Sequence, residues 1–132
     1  MSKKYFAKII AKDPQGLQMI SAYCSESRVK IHEIKHLKKN KIFLLSIQRL
    51  SREIDGSKDE INSILKFDYI NSSKSKNIDQ NNPDLIIELL AINLFKRDHN
   101  YEITLLFSNN AIITLSAEII EATLEDQKKI ND

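Results

Sequence analysis

Tyr5, Ala7, Ile9 and Ala11 recur at period two, which predicts a strand with one buried face. Asp13-Pro14 then opens a helix, because Asp13 can accept from the free amides of the first turn and Pro14 needs no amide there. Leu17, Ile20 and Cys24 continue it as one apolar stripe to Ser25. Val29 and Ile31 alternate as a strand whose phase slips at Glu33 before Ile34 and Leu37, as a bulge would cause. A polar turn at Lys38 to Lys41, containing Asn40, leads into Phe43, Leu45 and Ile47 at period two, which makes a hairpin. Glu53 to Asp59, with Gly56, reads as a loop, and Leu65, Phe67 and Tyr69 as another strand.

Asn71 to Asn82 is almost wholly polar and suits an exposed strand end and a loop. Pro83 to Phe95 fits either a capped helix or a strand buried on both faces; the strand is preferred because the hairpin that follows offers it a partner. In that hairpin Tyr101, Ile103, Leu105 and Phe107 share a face with Ala111, Ile113, Leu115 and Ala117. They do so only if Ser108-Asn109-Asn110 forms a three-residue loop. Asn110 tolerates the left-handed backbone that ends such loops. Ile119, Ile120 and Leu124 suggest a short closing helix with Lys128 and Lys129 at its favourable end. The pattern therefore predicts an α+β domain, mainly an antiparallel sheet of about seven strands with one early and one C-terminal helix. That count is compatible with a partly open barrel of the pleckstrin-homology kind.

Composition adds limits. A chain of 132 residues, 42% apolar and 29% charged, suits one globular domain over residues 1–132. Cys24 is the sole cysteine, so no internal disulfide forms, which suits a reducing compartment and a small core role for the thiol. Lys8 and Lys12 interrupt any leader-like apolar run, and Leu85 to Phe95 is too short to span a bilayer. The expectation is a cytoplasmic protein with no membrane association.

The net charge of +2 hides an asymmetry: residues 1–52 carry 12 Lys/Arg and 3 Asp/Glu, residues 53–132 carry 8 and 15. Arg28, Lys30, Lys35, Lys38, Lys39 and Lys41, with Arg49 beyond, form a candidate binding face for phosphates. Aromatic residues for base stacking are sparse, so a solvated hairpin tip accounts for most of these lysines and nucleic acid ranks behind a protein partner or a second copy.

His32-Glu33-Ile34-Lys35-His36 matches the zinc-peptidase spacing H-E-x-x-H. In a strand, however, the two imidazoles would lie about 13 Å apart with Glu33 on the opposite face. Lys35, Lys38 and Lys39 also oppose a bound cation. No metal site, cofactor or catalytic residue is therefore assigned. Two glycines exclude a glycine-rich phosphate loop, and carboxylate pairs such as Asp59-Glu60 and Glu125-Asp126 read as solvated. A non-enzymatic binding or interaction module is the leading expectation, with a nucleic-acid-associated protein or an enzyme without a recognisable motif as alternatives.

Several segments together carry a family resemblance: Leu17 to Ala22, Val29 to Leu37, Phe67-Asp68 with Ser72 to Asp79, Leu89 to Ile92, and Ala111-Ile112 with Ile120 to Ala122. The chain resembles, over about Ile9 to Asp126, an alphaproteobacterial family of short proteins whose domain has no known function. It departs from that family after Arg49, where Leu50-Ser51-Arg52 replaces an aromatic segment, and at the hairpin tip, where Ser108-Asn109-Asn110 replaces glycines. The resemblance implies no activity and no functional residue.

Overall fold

A computed structural model describes residues 7–50 and 60–127, among which ten strands form a single antiparallel sheet. In chain order they are β1 (Lys8–Ala11), β2 (Ser27–Lys30), β3 (Ile34–Leu37), β4 (Ile42–Leu50), β5 (Glu60–Phe67), β6 (Ile70–Lys76), β7 (Ile86–Lys96), β8 (Tyr101–Phe107), β9 (Ile112–Ala117) and β10 (Ala122–Asp126). The helix α1 (Pro14–Cys24) lies between β1 and β2. The sheet runs β1-β10-β5-β4-β2-β7-β8-β9-β6, with β3 sharing an edge of β4. The loop expected at Glu53 to Asp59 lies outside the described residues.

The early helix agrees with the sequence expectation. The Asp13 carboxylate accepts from the Gly16 amide at 2.7 Å, a cap worth about 1 kcal/mol. Leu17, Ile20 and Cys24 are its buried stripe, and they pack over the sheet against β7 and β1.

The α+β expectation of about seven strands and a C-terminal helix is overturned: the fold is mostly antiparallel strand, with ten strands and one α-helix among the described residues. Three segments account for the difference. The slip at Glu33 is a 3₁₀ turn, Ile31–Glu33, that cuts one expected strand into β2 and β3. The polar stretch after Asn71 is a true edge strand, β6, its ladder to β9 made by backbone and not by apolar side chains. The expected closing helix is β10, whose inward residues are Ala122, Leu124 and Asp126. An aspartate at the third inward position hides the period of two. Without that helix the pleckstrin-homology comparison fails as well.

Elsewhere the strand pattern holds. The β8–β9 register sets Leu106 against Ile112, and Ser108–Asn110 is the three-residue tip, with Asn109 and Asn110 both at φ 61°. Residues 86–96 are strand, yet not buried on both faces: Ile87, Leu89 and Ile92 face the core while Ile86 and Leu90 are exposed. A register irregularity between Leu89 and Ala91 shifts the alternation and makes the run look continuous.

The sheet is open, but two of its edges meet. The Ile70 amide donates to the Lys41 carbonyl at 2.8 Å, and the Ser73 hydroxyl bonds His36 Nδ1 at 3.0 Å. These contacts bring β6 beside β3, although no ladder joins them.

Candidate functional site

The most concentrated chemistry in the fold is buried. Arg49 on β4 and Asp126 on β10 flank β5, and both side chains are fully inaccessible. Arg49 Nε donates to Asp126 Oδ1 at 2.9 Å, and a terminal guanidinium nitrogen donates to Oδ2 at 2.6 Å. The Ser63 hydroxyl donates to Oδ1 at 2.6 Å and the Ala7 amide to Oδ2 at 2.7 Å. The Tyr23 ring covers the guanidinium carbon at 5.6 Å.

Burial alone would raise the Asp126 pKa. The hydrogen bonds from Arg49, Ser63 and Ala7, with the charge of Arg49, outweigh it and hold the carboxyl below its ordinary range. Cys24 sits within reach of the same charges. Burial pushes its thiol up to about 12, against the pull of Arg49 and with a smaller push from Asp126. A thiol so protonated is no nucleophile at neutral pH. Every polar atom of the Asp126 carboxylate is engaged from within, so this network holds three strands together.

The basic residues singled out from the sequence separate into three places. Arg28 and Lys30 lie on β2, where Arg28 pairs with Glu60. Lys35 lies on β3, Lys38 and Lys39 in the following 3₁₀ turn, and Lys41 just after it, paired with Glu118 at 2.6 Å. Arg49 is interior and cannot share a surface with the others. The reading of Glu125-Asp126 as a solvated pair is likewise corrected, since Asp126 is buried against Arg49.

Around β3 the structure adds residues that sequence reasoning missed. His36 and Ser73 point inward toward each other, so Lys35 and Leu37 on β3 and Lys74 on β6 present outward beside them. Lys76 follows on the same exposed edge. Leu37 and Tyr69 are 43% and 42% exposed there, with Tyr69 next to the Ile70–Lys41 contact. Among the described residues Lys35, Lys38, Lys39, Lys74 and Lys76 carry no ion pair.

The two histidines of the H-E-x-x-H sequence part company. His32 is exposed in the 3₁₀ turn, 3.7 Å from an Asp84 carboxylate oxygen. His36 packs against Phe43 with ring centroids 5.9 Å apart, and its pKa is lowered by burial and by the charge of Lys38.

A third feature is an open cleft of about 370 Å³ where β2 leaves β4. The strands pair only at Arg28 and Gln48, and β4 regains a partner at Ile34–Leu45. Lys30, Glu33, Ser46, Gln48 and Asn62 line the gap.

The family described as "Protein of unknown function (DUF2948)" matches residues 7–131. The chain belongs to that family. No curated protein matches the chain, and no solved structure does. The DUF2948 match widens the span of the resemblance drawn from Ile9 to Asp126 and takes in every described residue, including both halves of the Arg49–Asp126 pair. The family description assigns no role to any of them.

Proposed function

We propose that this DUF2948 chain is a non-enzymatic, cytoplasmic binding module that holds an acidic segment of a partner protein against the surface shared by β3, its following turn and β6. The observation that carries the reading is the His36–Ser73 contact, which joins two lysine-bearing segments far apart in sequence. Five lysines without ion pairs and two exposed apolar side chains, Leu37 and Tyr69, then lie together. Unneutralised cations around a small apolar centre suit an acidic partner with apolar anchors. Tyr69 is the one exposed aromatic of the patch, a poor platform for stacked bases. The buried network supports the non-enzymatic half of the reading, because its charges satisfy one another away from solvent.

The test replaces Lys38, Lys39 and Lys74 with Glu. Exposed charge changes of this kind usually alter stability by no more than about 0.5 kcal/mol. Capture from native lysate, after nuclease treatment, should recover an acidic protein with wild type and lose it with the triple variant and at high salt. Recovery of nucleic acid instead, abolished by nuclease and by the same variant, would move the reading to nucleic acid. Equal capture by both proteins would end it.

A further inference from the structure

We propose that the cleft at the β2–β4 fork binds a small zwitterion of the α-amino-acid class with an apolar side chain. The cleft exists because β2 abandons β4 after the Arg28–Gln48 pair and turns away through Ile31–Glu33. Ser46 and Ile47 on one side, Val29 and Lys30 on the other, are left without a strand partner across the gap. The resulting volume of about 370 Å³ lies in the range of small-molecule sites.

The rim decides the ligand's charge. Lys30 and Glu33 both line the cleft, and neither forms an ion pair with the other or with any described residue. Arg28, in contrast, is held by Glu60. A phosphate or simple carboxylate would meet Lys30 but be repelled by Glu33, and a neutral sugar would leave both charges unanswered. A ligand with a carboxylate and an ammonium on one carbon answers both, through charge-assisted hydrogen bonds.

The floor and ends fit the rest of such a molecule. Gln48 and Asn62 stand opposite each other in the β4–β5 register and offer amide donors and acceptors. Ile64, opposite Ser46, and Ile86, opposite Lys30, lie at the two ends of one cross-strand row and give an aliphatic side chain its contacts. The site is separate from the basic surface of β3 and β6 and stands whether or not that surface has a partner.

The experiment titrates the isotope-labelled chain with free L-leucine, L-isoleucine and L-valine, followed by amide NMR shifts. N-acetyl-L-leucinamide, with the same side chain and no charge, is the control. Saturable shifts at Lys30, Glu33 and Ser46 are expected with at least one free amino acid. Affinity should fall roughly tenfold or more for the capped compound and for each of Lys30→Gln and Glu33→Gln, the loss of one charge-assisted contact. Lys30 is exposed and Glu33 half-buried, and unchanged spectra away from the cleft will show that the variants fold. No saturable shift with any of the three amino acids, or equal affinity for free and capped leucine, would overturn the proposal.

Discussion

Replacing Asp126 with Asn tests whether the buried pair stabilises the fold as its geometry demands. The change keeps the volume and removes the charge, so the inaccessible Arg49 guanidinium loses the carboxylate it bonds through two nitrogens. Four donors converge on the two carboxylate oxygens: two from Arg49, one from Ser63 and one from Ala7. A carboxamide has a single oxygen, so its NH2 must face at least one of these donors without accepting. Removing one partner of a buried pair costs about 3–5 kcal/mol. That is about a fifth or more of the roughly 5–15 kcal/mol of a typical domain. Urea unfolding should show it as a lower midpoint at unchanged slope. The double change Arg49→Met with Asp126→Leu should be less destabilising than Asp126→Asn alone, because it removes both members of this buried pair together. A loss under about 1 kcal/mol for Asp126→Asn, or a double variant worse than the single, would refute this account. The pH dependence has a definite sign. The folded carboxyl titrates below its ordinary 3.8, so the folded state binds fewer protons than the unfolded state in that window. The contribution is present in full above that value and is lost as pH falls below it toward the folded pKa.

Other changes follow from the same packing. Cys24, buried with its thiol pushed up to about 12, should react with a disulfide reagent at pH 8 only as fast as the chain opens; prompt native labelling would contradict this burial. Gly16→Ala should destabilise, although alanine favours helix by about 1 kcal/mol, because the new Cβ would meet the Ala11 Cβ at 3.0 Å. A midpoint shifted upward in thermal unfolding would show that β1 yields easily. Ser27 Oγ is buried without a partner, so Ser27→Ala should be neutral or stabilising by about 1 kcal/mol; a clear loss would reveal a hydrogen bond for that hydroxyl.

Local chemistry made much of the fold legible. Asp13-Pro14 and the Leu17, Ile20, Cys24 spacing located α1, and alternation located β4, β8 and β9 with the correct hairpin tip. It located β5 as far as Phe67, whereas Tyr69, expected in that strand, lies in the turn after it at φ 60°. Two kinds of element escaped. The strand β6 has only Ile70 fully buried along its length, so its place depends on backbone pairing with β9, which side-chain polarity does not signal. The division between β2 and β3 is a 3₁₀ turn of three residues, and to a period analysis it resembles a single slipped residue.

Site residues were less legible, and for one reason. Pattern reading treats a charged residue on a strand as facing water, a rule that fails when two charges answer each other inside. Arg49 and Asp126 are 77 positions apart, and each reads as a solvent residue until β5 brings the other within 2.6 Å. On its sequence neighbours alone Arg49 groups with a basic surface it never reaches, and Asp126 disguises β10 as a helix end. The same long-range logic runs in the other direction at the surface. Lys74 carries no signal that it belongs with Lys35, Lys38 and Lys39; a single bond between Ser73 and His36 puts it there. The sequence shows which residues carry charge, but pairing between distant strands decides which charges are neutralised inside and which are left for a partner.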